Sequence, residues 1–193
     1  MNAAPHTSQP YISESDYLAG EQVSHERHEY LDGHIYLMAG ASKQHNRIAR
    51  NFINRLESAA TAKGCEIFFS DMKVRVEKYK AYYYPDVVIS CIADEGNDYY
   101  LEQPCLIIEV ASDSTVRKDY LEKSLAYQSI SSLQAYLIVA QDKLQVDMLY
   151  RLPDNSWGLQ QFDQLEDEIA LPCLDYGLTL TSIYANVLHH AEE

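Results

Sequence analysis

The chain has 193 residues, 47% of them apolar and 23% charged, values ordinary for a soluble globular protein with room for a sizeable core. No apolar run approaches the ~20 residues of a membrane span. The opening MNAAPHTSQP has neither a basic start nor an apolar core, so no membrane anchor or secretory signal is expected. A net charge of −14 argues at first against a nucleic-acid partner. The charge is uneven, however: between Lys43 and Lys80 nine basic residues stand against four acidic ones, so one face can be basic on an acidic molecule. The four cysteines (Cys65, Cys91, Cys105, Cys173) lack CxxC spacing. They are expected as buried thiols in a reducing cytoplasm, rather than as disulfides or a zinc site.

In chain order, residues 1–12 read as a flexible tail and 13–193 as one domain. Ser13 with Asp16 marks a helix start, and SESDYLAGEQ gives a short helix ending near Gly20. Asp32-Gly33, between the apolar residues of HEYLDGHIYLMAG, signals a two-residue hairpin turn. Glu29 lies in the first strand of that hairpin, on the face opposite Tyr30. From Ser42 to Ala62 the period is helical, with Ile48, Phe52 and Leu56 on one stripe and Lys43, Arg47, Arg50 and Asn54 opposite. That basic stripe is either a solvated face or a phosphate contact. Gly64 closes the helix.

Two strands follow, EIFFS and DMKVRVEK, the second alternating Met72, Val74 and Val76 with a wet face of Lys73, Arg75 and Glu77. Tyr82–Cys91 and Pro104–Ser112 read as central strands, apolar on both faces. Thr115–Ser129 reads as a helix with Tyr120, Lys123 and Tyr127 on one side and Asp119 alongside. LQAYLIVA and LQVDMLYRL form a hairpin around Gln141-Asp142-Lys143, SWGLQQF adds a strand, and a final helix runs from about Leu180 to His189. The order describes a mixed α/β domain.

Asp86 and Glu109 each interrupt an apolar, β-branched run, where a carboxylate is costly to bury without a partner. Their midpoint falls in Glu95–Asp98, a turn sequence. One antiparallel pairing of the two runs therefore sets the carboxylates opposite each other, ~5 Å apart at Cβ. Like charges held so close favour a divalent cation between them.

The ordered set YLDGHIYLMAG, His45 and a helix, PDVVIS, IIEVASDST, DYLEKSLAY and LQAYLIV resembles the PD-(D/E)XK nuclease superfamily. Within it, the set is most similar to the Uma-two family of restriction-endonuclease-like proteins, over about Tyr17 to Leu188. That resemblance implies an α/β (α+β) fold with a restriction-endonuclease-like αβββαβ core, a mixed central sheet flanked by helices. It also implies an Mg²⁺-dependent endonuclease site acting on DNA phosphodiester bonds, with Mn²⁺ as a substitute ion, in a cytoplasmic homodimer. By position, Asp86 and Glu109 become metal ligands with the Val110 carbonyl as a third, and Glu29 an additional acid. The superfamily's lysine two residues after the second acid is Ala111 here. Lys123 on the following helix is the residue that matches, with Lys118 as a fallback.

Each residue also has a plainer reading. Asp86 after Pro85 can cap a strand start, Glu109 can form an ion pair with Lys123 or an arginine, Lys123 can sit at the surface, and Glu29 can be an exposed hairpin residue. His45 suits a helix start or core as well as a catalytic role. Asp71 and Lys73 lie on a neighbouring strand at best behind the site. His25 and His28 have no further zinc ligand beside them. Two other functions fit the same residues: a non-catalytic nuclease-like oligomeric or regulatory module, and a metal-dependent hydrolase of a smaller phosphate ester.

Overall fold

The computed structural model describes residues 10–92, 96–112 and 119–187, with the backbone alone at residues 119 and 120. The chain opens with helix α1 (Glu14–Val23), whose N-cap Ser13 accepts the Asp16 amide at 3.1 Å. It runs three residues past Gly20 before the hairpin β1 (His28–Leu31) and β2 (His34–Leu37). Asp32 and Gly33 both have positive φ, 39° and 91°, as a primed two-residue turn requires. A side chain at Gly33 would collide with the Tyr11 ring.

Helix α2 (Lys43–Ala62) is capped by Ser42, which accepts the His45 amide. It buries Ile48, Phe52, Leu56 and Ala60. Burial of each of the three large side chains stabilises by about 1.5–3 kcal/mol before entropy is counted. Gly64, at φ 69°, turns the chain out of the helix.

Strands β3 (Glu66–Phe69) and β4 (Lys73–Val76), a 3₁₀ turn over Glu77–Tyr79, and β5 (Ala81–Tyr83) follow. Next come β6 (Val87–Ser90), the two-residue β7 (Tyr100–Leu101) and β8 (Leu106–Ala111). The stretch Tyr82–Cys91, expected as one strand, is thus two. Pro85 has no amide to give a ladder, and at Tyr84–Asp86 the chain leaves one sheet for another. The first sheet has the order β2-β1-β5-β4-β7. The second contains β6 and β8 as interior strands.

After β8 the described chain resumes in a π-helical turn, Asp119–Lys123, continuous with α3 (Ser124–Gln128). The start of the helix expected from Thr115, with Arg117 and Lys118, lies outside the described residues. So do Glu95 and the side chain of Tyr120. Strands β9 (Ala135–Ala140), β10 (Val146–Arg151) and β11 (Trp157–Phe162) complete the second sheet, ordered β11-β10-β9-β8-β6-β3. Only β8 and β9 run parallel in that sheet. A hairpin of β12 (Glu168–Leu171) and β13 (Tyr176–Thr179), not anticipated, stands as its own two-stranded sheet. The terminal helix α4 (Leu180–Ile183) has one turn, and Leu188–His189 lie outside the described residues.

Alternation along the central strands distributes the core. Val87, Ile89, Leu106, Ile108 and Val110 pack on α2 and the β12–β13 hairpin. Val88, Ile107 and Ala111 face the other way, against β4, β5 and α3. The second sheet is therefore covered on both sides, which explains why β6 and β8 are buried throughout. The outer face of the first sheet is covered by α1, where Tyr17, Tyr30 and Tyr82 form a separate cluster. This cover corrects the expected wet face of β4: Lys73 is buried there and Arg75 half-buried, paired with Glu14 of α1 and Glu102.

The cysteines also depart from expectation. All four converge, Cys65 bonded to Cys91 and Cys105 to Cys173, so they are not separate buried thiols. Long-range convergence of this kind has no local spacing signal. Among the described residues, no helix is long and apolar enough to cross a membrane.

Candidate active site

The pairing of β6 with β8 sets Val87 opposite Ile108 and Val88 opposite Ile107. One step further along the same register, Asp86 faces Glu109, as the symmetric placement of the two acids predicts. Pro85 ends the backbone ladder there, and the Asp86 side chain takes over. Its Oδ2 accepts the Val110 amide at 2.7 Å, while Oδ1 lies 2.7 Å from His45 Nε2. Asp86 does cap a backbone amide, then, but one on the neighbouring strand beside Glu109.

Glu109 shares its face of the sheet with Ile107 and Ala111, toward α3 and the first sheet. Lys123, the last residue of the π-helical turn, reaches in and donates to Glu109 Oε1 at 2.8 Å. The same ammonium lies 3.0 Å from Glu29 Oε1. Glu29 comes from β1, on the face opposite Tyr30, so the hairpin turn at Asp32-Gly33 fixes which way it points. All three residues are about 95% buried, at 6%, 5% and 6% exposure for Glu29, Glu109 and Lys123. Neither a surface lysine nor an exposed hairpin acid describes them.

Two tyrosines complete the wall. Tyr127, one turn after Lys123, donates to Glu109 Oε1 at 3.2 Å. Tyr83 of β5 lies under the Lys123 ammonium, 5.7 Å from ring centre to Nζ, and its hydroxyl donates to Glu122 at 3.2 Å. Burial first, then the Glu122 carboxylate, pushes the Tyr83 hydroxyl well above the usual tyrosine range. It stays a donor at any working pH.

Glu29, Glu109 and Lys123 thus meet directly, from two strands and one helical turn, and Asp86 stands next to them through its bond to the Val110 amide, one residue after Glu109. Among these four side chains the formal charge is −2, and every acidic donor is a hard carboxylate oxygen. That set fits Mg²⁺ or Mn²⁺, which take oxygen ligands, better than a soft ion. Asp71 and Lys73 are not part of it. Asp71 pairs with Arg27 at the surface, and Lys73 sits on the outer side of the first sheet beside Tyr84.

His45, which suits a helix start or core as well as a catalytic role, stands in the first turn of α2 with Nε2 2.7 Å from Asp86 Oδ1. The bond of Tyr127 to Glu109 was foreshadowed by its four-residue spacing from Lys123. The ring of Tyr83 carried no such signal, because β5 had merged with β6 in the expected single strand.

Comparisons with known proteins show the family and the fold. A family model described as "putative restriction endonuclease" (Uma2) matches residues 15–182. The uncharacterised protein slr1290 of Synechocystis sp. is 32% identical over 186 residues, covering 94% of this chain and 95% of its own. The uncharacterised protein sll1609 of the same organism is 32% identical over 155 residues, or 78% and 86% of the two chains. In three dimensions, a putative nuclease of DUF820 from Anabaena variabilis superposes with a TM-score of 0.71 at 16% identity. That match covers 92% of this chain and 99% of the other. The fold is that of a nuclease-like α/β protein, and by sequence the chain belongs to the Uma2 family of restriction-endonuclease-like proteins.

Proposed function

We propose that the protein is a divalent-metal-dependent endonuclease that hydrolyses DNA phosphodiester bonds. The observation that carries the reading is the position of Lys123, whose ammonium lies within 3.0 Å of both Glu29 and Glu109 although Ala111 occupies the usual lysine position. In this reading Asp86, Glu109 and the Val110 carbonyl would hold Mg²⁺, with Mn²⁺ as a substitute. When bound, the ion supplies a polarised water and charge neutralisation at the phosphate. Lys123 donates hydrogen bonds to the attacking water or to a non-bridging phosphate oxygen, where negative charge grows in the transition state. Glu29 holds the ammonium in place. His45 and the Val110 amide fix the Asp86 carboxylate in one orientation.

The first turn of α2 stands at the site through His45, and the same helix carries Lys43, Arg47 and Arg50. Lys43 and Arg50 are exposed, which suits contacts to the phosphate backbone on an otherwise acidic molecule. A homodimer would present two such sites to the two strands of a duplex.

Plasmid nicking with Mg²⁺ or Mn²⁺ tests the reading. Wild-type protein is expected to convert supercoiled DNA to the nicked form, and Asp86→Ala and Lys123→Ala are expected to lose that activity by about 100-fold or more. Equal nicking by wild type and both variants, or none with any divalent ion, rejects it. A second reading rests on the same ion pair: an ammonium clamped by two buried acids also makes a structural core for a non-catalytic module. It requires metal-independent behaviour, so calorimetric titration of Mn²⁺ showing no dependence on Glu109 selects it.

A further inference from the structure

All four cysteines of the chain meet at one place, at the end of the central sheet away from the acidic site. Asp86 precedes β6 and Cys91 follows it, while Cys105 precedes β8 and Glu109 lies near its far end. Along these strands the two ends are separated by roughly 15 Å. Cys65 comes from the turn between α2 and β3, and Cys173 from the turn between β12 and β13. Their partners are 26 and 68 residues distant in sequence.

Two independent disulfide staples have no physical reason to touch each other. Here they do: Cys91 Sγ is 3.5 Å from Cys105 Sγ, and the sulfurs of Cys91, Cys105 and Cys173 all lie within 4.8 Å of one another. The two bonded pairs have Cα separations of 3.9 and 6.1 Å, so four backbones already crowd around one point. A tetrahedral ion with metal–sulfur bonds of about 2.3 Å has sulfur–sulfur edges of about 3.8 Å. The sulfurs of Cys91, Cys105 and Cys173 already approach that spacing, and Cys65, held beside them by its bond to Cys91 but outside that group of three, has to turn its side chain toward them. Cys65 and Cys105 are buried, Cys173 is half-buried and Cys91 is exposed, which leaves a route for an ion to enter.

We propose that the reduced chain binds one structural Zn²⁺ through Cys65, Cys91, Cys105 and Cys173, and that the two disulfides are the oxidised, metal-free form. Four thiolates suit a soft ion and close its coordination sphere, leaving no place for substrate. Such a site has a structural task. The β12–β13 hairpin forms a sheet of its own, and Cys173 in its turn would tie it to the ends of β3, β6 and β8. The Lys63–Asp175 ion pair, at 3.6 Å, already joins the same two turns at the surface. Conversion between the forms balances simply. Each disulfide takes two electrons and two protons from a dithiol reductant, which leaves as its cyclic disulfide. Zn²⁺ then displaces the thiol protons to solvent.

The test uses the full chain, reduced anaerobically with a dithiol, loaded with Zn²⁺ or Co²⁺ and desalted. One metal per chain is expected, with Co²⁺ giving thiolate-to-metal charge transfer and tetrahedral d–d bands. Both signals should disappear in the Cys91→Ser, Cys173→Ser double variant. They should persist in Asp86→Asn, Glu109→Gln, which keeps the result apart from any ion at the carboxylates. Zinc should also raise the Tm of the reduced wild type. A reduced chain with four titratable thiols and no thiolate–cobalt band overturns the proposal. So do disulfides that remain intact in the folded chain under the dithiol.

Discussion

Two buried lysines, Lys123 and Lys73, are equally shielded at 6% exposure, yet their surroundings differ in kind. Lys123 lies between the sheets and contacts two buried carboxylates directly, Glu29 at 3.0 Å and Glu109 at 2.8 Å. Lys73 lies under α1 and donates to the Tyr84 hydroxyl at 3.4 Å, which in turn donates to Glu21 at 3.0 Å. Glu21 is itself occupied in joining α1 to β1, accepting the His28 amide at 2.8 Å. One region gathers acids in excess around an ammonium, beside a third acid at Asp86. The other spends its one buried acid on fastening a helix. Excess like charge at fixed positions is costly, and on the proposed function a divalent cation offsets it.

The largest effect expected from this difference is at Lys123. Lys123→Met leaves two buried acids facing each other, and removal of one partner from a buried ion pair costs about 3–5 kcal/mol. Denaturant unfolding at neutral pH should show that loss. Adding Glu29→Gln to the same variant should recover part of it, because one of the stranded charges is gone. If Lys123→Met unfolds at the wild-type midpoint, the ammonium is not what holds the acids together.

Much of the Lys123 region was legible in the sequence. The equal spacing of Asp86 and Glu109 about a turn set their register, Asp32-Gly33 set the face of Glu29, and the helical period carried Lys123 and Tyr127 together. These are local rules of strand and helix. The Lys73 region was not legible. Alternation placed Lys73 on a wet face, since nothing in DMKVRVEK says that α1, some fifty residues earlier, covers it. The division of Tyr82–Cys91 into two strands was signalled by Pro85 alone, and its consequence, a second sheet, depends on which strands pair across the molecule. The meeting of the four cysteines likewise depends on four separate connections, none with a short-range motif.

At Lys73 the comparison can be sharpened by pH. Burial, only partly offset by Glu21, holds the ammonium below its usual pKa. Because the folded value lies below the unfolded one, the contribution to stability is full above the ordinary lysine range and is lost as pH falls through the folded value. Below the ordinary lysine range the wild type therefore bears the cost of burying this group. Lys73→Met, of similar volume, should unfold within about 1 kcal/mol of wild type or above it. Its advantage should shrink as pH is raised toward 10. A loss as large as that of Lys123→Met would erase the distinction between the two regions.

Asp147 on β10 offers a third case, a buried carboxylate whose hydrogen bonds are from neutral groups. It accepts the carboxamides of Gln145 and Gln161, both at 2.8 Å. Burial raises its pKa, and the Gln161 bond opposes that only in part. Its folded pKa lies above the unfolded one, so stability is full below the ordinary aspartate range and is lost as pH rises through the folded value. Asp147→Asn removes the charge while either glutamine can turn its carboxamide to meet the new donor. The variant should be more stable than wild type at pH 7, and the gain should vanish as pH falls to the ordinary aspartate range. Chemical denaturation at the two values reads the difference directly. A variant weakened at pH 7 would mean that carboxamides alone can carry a buried charge here, and that the second acid beside Lys123 needs no cation to explain it.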